Sequence, residues 1–329
     1  MFLSVILPSY NEEEQIPTTL ATLPAYFPKN ADVELIFVDD GSQDGTWKLL
    51  SSYMAQERPV DPAGLHSLTI RALRFSRNFG KELAVRAGLQ AARGDAAIIM
   101  DCDLQHPPRY LQQMIQAWQE GYEVVEGIRA RSEDESWLYR FQTKVFYGLL
   151  SFLTGQDYKN DSDFQLIDRK VYETINQLGE HESFYRGLSR FVGFRRKTFH
   201  FEVDDRLHGA SKWSKIRLLS LALHAMLSFS NRPLTLFFGF ACVSNLLYLL
   251  VLLAQGLAWL CGHPFLSWSL VEYLLFFLIN INLAGTSLLG LYLGRVFEET
   301  KARPLYIIAE EDTSPPLGQA KAGLEMRQS

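Results

Sequence analysis

The sequence predicts an α/β domain with a mainly parallel sheet, followed by two membrane-spanning helices. Two observations carry this. Apolar runs of strand length alternate with helix-like segments through the first 130 residues, which is the pattern of strands joined by crossover helices on both faces of a sheet. From Leu234 to Gly262 no residue is charged, and a second apolar run from Leu266 to Gly294 carries only Glu272. Each run exceeds the ~20 residues that cross a bilayer, and neither shows the polar stripe of a soluble core helix. A length of 329 residues accommodates both parts.

Leu3–Leu7 reads as the first strand, because the N-terminal apolar run is too short for a signal peptide and lacks a basic start. Asn11–Tyr26 reads as a helix opened by Glu12, Glu13 and Glu14, whose charge suits a helix N-terminus. Val33–Val38 is the second strand, ending in DDGSQDGT, and Leu68–Phe75 the third. The segment RNFGKELAVRAGLQAARG then has apolar residues at helical spacing, with Gly94 placed to stop the helix. Ala96–Met100 is the fourth strand, the Pro107-Pro108 pair opens another helix, and Tyr122–Glu126 is the fifth strand.

Residues 211–232 carry Ile216, Leu219, Leu223 and Leu227 at helical spacing with basic residues near the start, as in an amphipathic helix lying in the headgroup layer. Lys212, Lys215, Arg217 and Arg232 precede the first apolar run, Arg295, Lys301 and Arg303 follow the second, and the Gly262–Pro264 connection has no Lys or Arg. The positive-inside rule therefore expects the N-terminal domain and both termini in the cytoplasm, at an inner or plasma membrane. The expected organisation is an α/β domain over 1–210, the juxtamembrane segment 211–232, a two-helix hairpin over 233–296 and a cytoplasmic tail over 297–329. The polar tail from Glu310 onward is expected to be disordered.

Charge is nearly balanced, Lys+Arg 32 against Asp+Glu 37 for a net of −5, which argues against a nucleic-acid binder. Cys102, Cys242 and Cys261 lack zinc-site spacing and suit a reducing compartment. In a parallel sheet, ligands bind off the carboxyl ends of the strands. Pro8-Ser9-Tyr10, Asp39-Asp40 and Asp101/Asp103 all follow strand ends and should meet at one edge. Neither a P-loop nor a G-x-G-x-x-G occurs. Unpaired carboxylates in a cleft are costly, and the all-oxygen set Asp101, Asp103 and Gln105 suits Mg²⁺ or Mn²⁺ rather than zinc. Such a cation would in turn hold a phosphate ligand. Period-two alternation turns Cys102 away from the two acids, into packing.

The motifs LPSYNEEE, VDDGSQDGT, RNFG, ARGDAAIIMDCDLQHPP, GIRARS and LHGASKWS, in that order, resemble those of the polyprenyl-phosphate glycosyltransferases. These are inverting enzymes of the GT-A fold related to dolichyl-phosphate mannose synthase, and the two apolar runs resemble the bacterial bactoprenol glucosyltransferase branch. The resemblance spans Phe2 to Arg303. It implies an α/β GT-A domain, with Pro8, Tyr10, Glu12, Asp39 and Asp40 in the nucleotide pocket and Asp40 the favoured direct contact. Asp101, Asp103 and Gln105 match its metal motif, and Lys81 would face the donor diphosphate. Arg129 and Arg131, with Arg206, Ser211 and Lys212, are assigned to the acceptor phosphate. Should a carboxylate assist as base, Asp157 is the first candidate and Asp163 the second. The implied donor is a nucleotide-sugar: UDP-glucose by preference, with UDP-aminoarabinose, UDP-galactose and GDP-mannose behind it. The implied acceptor is polyprenyl phosphate in a lipid bilayer, with a separate flippase downstream. Gly285, Gly290 and Gly294 motivate a homo-oligomer, for instance a tetramer. A processive polysaccharide synthase would carry Q-x-x-R-W and more spans; a non-catalytic scaffold would not need both acidic motifs intact.

Overall fold

The computed structural model describes residues 1–55, 60–129, 163–178, 185–202, 232–262, 268–301 and 303–317. Its sheet has eight strands in the order β7-β5-β6-β4-β1-β2-β3-β8. The central strands β1 (Phe2–Ser9), β2 (Asp32–Asp39), β3 (Ser67–Phe75) and β4 (Ala96–Ile99) run parallel. β5 (Val124–Arg129) and β7 (Arg196–Phe201) pair in parallel at one end, joined to β4 through the antiparallel β6 (Gln165–Asp168). The sheet is mixed but mainly parallel, as expected from the strand–helix alternation.

Period-two alternation divides the core. Val5, Leu7, Leu35 and Phe37 point to one face, where they pack with Ile16 and Leu20 of α1 (Ile16–Thr22), Leu50 of α2 (Thr46–Met54) and Met114 of α4 (Leu111–Gln119). Ile6 points to the other face and meets Val85 and Leu89 of α3 (Lys81–Ala91), together with Val171 of α5 (Arg169–Gln177). Ile36 and Val38 pack beside them on Ala84 and Ala87. Burial on both faces explains why these strands are continuously apolar. Each such side chain contributes about 1.5–3 kcal/mol relative to exposure.

Three expectations are corrected. The acids Glu12, Glu13 and Glu14 lie in a turn; the helix starts only at Ile16, where Pro17 suits a first-turn position, and it passes into a 3₁₀ turn over Leu23–Tyr26. The fifth strand begins at Val124 rather than Tyr122, because Gly121 takes a positive φ of 93° after the helix. The tail beyond Glu310 is not disordered through its described part: β8 (Ile308–Thr313) pairs antiparallel with β3, and Leu317 bridges to Leu68. The edge of β3 offers a row of unpaired backbone groups, and the polar composition of β8 suits a strand lying exposed at a sheet edge. The sheet domain therefore includes residues from beyond the apolar helices.

A second unit holds α6 (Arg232–Leu260) and α7 (Trp268–Thr300). Residues Leu234–Leu260 and Leu270–Gly294 are long and apolar enough to cross a membrane. The helices contact one another, and Val271, Leu278 and Ile281 of the second are buried, while Phe237 occupies the space where a side chain at Gly285 would project. Gly285 thus serves the hairpin itself; Gly290 and Gly294 have open space before them. The amides of Asn245, Asn280 and Asn282 each donate to the carbonyl four residues back at 2.8 Å, which satisfies polar groups inside apolar helices. Residues 211–231, the amphipathic segment, lie outside the described residues.

Candidate active site

Parallel pairing brings the ends of β1, β2 and β4 to one edge, and the turns beyond them interlock. Pro8 costs the ladder nothing, since β4 leaves β1 after the Ile6–Ile99 pair and no donor is needed there. Asn11 then takes a left-handed φ of 56°, which asparagine tolerates. Its amide donates to Ser42 Oγ at 2.9 Å, its side-chain oxygen accepts from Gln43 N at 2.9 Å, and Glu12 N donates to Thr46 Oγ1 at 2.9 Å. Gly45 N donates to Glu13 Oε2 at 2.9 Å. Gly41, at φ 68°, lies so close to the next loop that a Cβ would meet Arg77 C at 2.6 Å.

Beside these turns is a cavity of about 470 Å³ lined in part by Tyr10, Ser42, Arg74, Phe75, Arg77 and Ala309. Asp40, the expected direct contact, and its neighbour Asp39 are engaged differently. Both Asp40 oxygens accept backbone amides, from Phe79 at 2.6 Å and Gly80 at 2.9 Å; the residue shapes the RNFG loop. Asp39 accepts Ser42 N at 2.9 Å through Oδ1, while its buried Oδ2 makes no hydrogen bond and lies 3.6 Å from Arg74 Nε. Burial pushes both carboxyls up, against the amides that pull them down.

The acids after β4 are arranged differently. Leu104 is held at φ 56°, a conformation that costs a bulky residue about 1–2 kcal/mol. The turn it makes lets Gln105 N donate to Asp103 Oδ1 at 3.0 Å. Asp101 N donates to His106 Nδ1 at 3.1 Å, and the imidazole stacks on Phe164 at 5.0 Å. Cys102 is 2% exposed with its Sγ toward Pro8 O, as the alternation predicted. Burial raises the Asp103 carboxyl, the Gln105 amide opposes this, and Asp101 adds to it. Glu12 is pushed up to about 7 by burial first, then by Asp103, Asp101 and Asp44. Negative charge is therefore concentrated around Glu12, Asp101 and Asp103.

Lys81, at the start of α3, answers the crowding in part. Its Nζ lies 2.6 Å from Asp101 Oδ1 and 2.8 Å from Asp163 Oδ2. Burial lowers its pKa, but the two carboxylates outweigh that and raise it. Asp163 also lies 3.2 Å from Arg186 Nε. Burial raises its carboxyl, yet Lys81 and Arg186 hold it below the ordinary range. Asp163, the second candidate base, is thus engaged by two cations, and the arrangement fixes the Lys81 ammonium. Asp157, Arg131, Arg206, Ser211 and Lys212 lie outside the described residues; of Arg129 the structure places the backbone, opposite Phe201.

Among the described residues no three His, Cys, Asp or Glu side chains could enclose a metal ion by themselves. A cation here would take only part of its ligands from these described side chains. The oxygen donors and the raised Glu12 nevertheless fit a hard divalent ion. Sequence reasoning missed Arg74, His106 and the tail strand at the site. A signal for Arg74 existed: a charged residue second to last in a buried strand.

The family model for glycosyl transferase family 2 matches residues 4–196. The chain belongs to that family. Over 316 residues this family 2 glycosyltransferase is 34% identical to the bactoprenol glucosyl transferase of Shigella phage SfV, covering 94% of this chain and 99% of that one. The prophage bactoprenol glucosyl transferase homolog of Escherichia coli K12 is 33% identical, over 94% and 98% of the two chains. An uncharacterized glycosyltransferase of Synechocystis, sll0501, is 34% identical over 94% and 95%. Glucosyl-3-phosphoglycerate synthase from Mycobacterium tuberculosis, solved with Mg²⁺ and UDP, gives a TM-score of 0.43 at 19% identity, over 70% of this chain and 79% of that one. That likeness is too distant to carry a ligand across.

Proposed function

We propose that this glycosyltransferase moves one sugar, preferentially glucose from UDP-glucose, to polyprenyl phosphate, with inversion at the anomeric carbon, on the cytoplasmic face of a membrane. The observation that carries this is the match to bactoprenol glucosyl transferases, which covers 94% of the chain and so takes in both the sheet domain and the apolar helices. The cavity beside Tyr10 and Arg74 would take the nucleoside, with the Tyr10 ring available to pack on the base. Asp101 and Asp103, with Gln105, would hold Mg²⁺ or Mn²⁺, which supplies charge neutralisation on the departing nucleotide.

The chain's own groups do the rest. Lys81, fixed by Asp163, presents an ammonium beside Asp101 for the donor diphosphate. The acceptor phosphate monoester has a second pKa of ~6 and is already largely ionised near neutral pH, so alignment matters more than a strong base. Arg129, Arg131, Arg206, Ser211 and Lys212 are assigned to that phosphate, and Asp157 remains the candidate should a carboxylate assist. The helix pair would anchor the enzyme with both termini cytoplasmic, and Gly290 and Gly294 are free for a homo-oligomer contact. Two spans make a poor sugar channel, which leaves outward transfer of the product to a separate flippase.

The test is purified protein with polyprenyl phosphate, Mg²⁺ or Mn²⁺ and each nucleotide-sugar in turn, following nucleotide release and the mass of the lipid. A hexosyl-phosphoryl-polyprenol from UDP-glucose is expected. Product from UDP-aminoarabinose or GDP-mannose alone would change the donor; nucleotide release without lipid product would sink the acceptor.

A further inference from the structure

One wall of the cavity comes from far along the chain. Arg74 pairs with Glu310 of β8 and Phe75 with Ile308, so the register slips between them and leaves Ala309 as the extra residue of a bulge. Ala309 is the β8 residue that lines the cavity. Bulges re-aim a strand locally, often beside functional sites. Around it the tail is tied down: Ser76 N donates to Ile307 O at 3.0 Å, and Tyr306 stacks on Phe75 at 4.9 Å. Glu310 Oε1 accepts Arg74 Nη1 at 2.8 Å, and its Oε2 accepts Trp47 Nε1 at 2.9 Å. Arg74 is thus held from several sides, by Glu310, by Asp39 3.6 Å from its Nε, and by the Trp47 ring, whose centroid is 5.7 Å away.

We infer that β8, the strand that follows the apolar helices, is a working wall of the donor pocket and that Glu310 is a positioning residue, fixing the Arg74 guanidinium for the nucleobase of a nucleoside diphosphate. This rests on the donor-pocket reading above. A guanidinium held at Nε and Nη1 keeps its remaining donors in one orientation, suited to a base carbonyl oxygen. Without Glu310, Arg74 would have to be ordered by the nucleotide, at a cost in affinity.

The test is calorimetry of UDP and GDP, with Mg²⁺, on the full-length protein in detergent, for wild type, Glu310→Ala, Glu310→Gln, Arg74→Ala and the Arg74→Ala/Glu310→Ala double variant. Glu310→Ala should weaken UDP about five- to tenfold, the scale of one charge-assisted contact. The loss should fall on donor KM rather than kcat or acceptor KM. Glu310→Gln, which still accepts the Trp47 N–H, should be intermediate. In the Arg74→Ala background, Glu310→Ala should add less than about twofold, since contacting residues are not additive. An unchanged UDP affinity in Glu310→Ala, or the same loss with and without Arg74, would overturn the role of Glu310 while leaving the pocket intact. A wild type that binds neither nucleotide would overturn the pocket reading and this inference with it.

Discussion

Two acidic turns stand at the same edge of the same sheet, and they use their carboxylates in opposite ways. After β2, Asp40 accepts backbone amides from Phe79 and Gly80 with both oxygens and Asp39 accepts Ser42 N with one, its other oxygen lying near Arg74; three of the four oxygens shape loops. After β4, Asp101 and Asp103 stand among other acids, with Lys81 the counter-charge drawn in at 2.6 Å and Glu12 pushed up to about 7. Carboxylates satisfied by amides build shape, whereas carboxylates crowded together build a potential that a cation and a phosphate can use. The residue type is the same; the supply of backbone donors differs.

If that contrast holds, Asp103→Ala should remove nearly all turnover, about 10³-fold or more, as should chelation of the cation. It should leave the melting temperature in EDTA unchanged or higher, because one crowded charge is gone. An active Asp103→Ala enzyme would erase the distinction. Asp40→Ala should also cost activity, about 10²-fold, but through shape: two charge-assisted bonds of about 1.5–3 kcal/mol each are lost, so a clear fall in melting temperature should accompany it. Loss of activity with unchanged stability would move Asp40 back to the ligand.

Lys81→Met tests the counter-charge, and a drop in kcat of about tenfold to 10²-fold is expected, with Asp163→Asn giving a smaller loss of the same kind. Were Asp163→Asn the more damaging, Asp163 would be the base after all. The smallest effect concerns pH. In the cation-free protein the folded-state value of Glu12, about 7, lies above its ordinary 4.5, so the folded chain holds a proton that the unfolded chain releases. That stabilisation is full below about pH 4.5 and is lost as pH rises through about 7. Melting in EDTA between pH 5 and 8 should therefore show a downward component in wild type that Glu12→Gln lacks. Equal slopes would mean that Glu12 does not feel the acids beyond β4.

Much of this was legible in the sequence because it depends on periodicity and on strand ends. Alternation placed Ile6 and Val5 on opposite faces and turned Cys102 inward, and the rule for parallel sheets brought Pro8, Asp39 and Asp101 to one edge. The long uncharged runs declared the apolar helices, since no soluble core needs 29 consecutive residues without a charge. What the sequence could not decide was which partner each polar group would find. Asp40 outranked Asp39 in the sequence because it adjoins Gly41, yet the folded chain delivers two amides from residues 39 and 40 positions away to Asp40, and Arg74 to Asp39. Asp163 reads in the sequence as a second candidate base, and the sequence gives no sign that Lys81 and Arg186 fold beside it. The polar tail looked unstructured because hydropathy measures burial, and an edge strand is held by backbone bonds rather than by burial. Local pattern determined the elements and the edge where the chemistry gathers. Only tertiary structure decided the pairing of charges and the return of β8 to β3, because both depend on contacts between residues far apart in the chain.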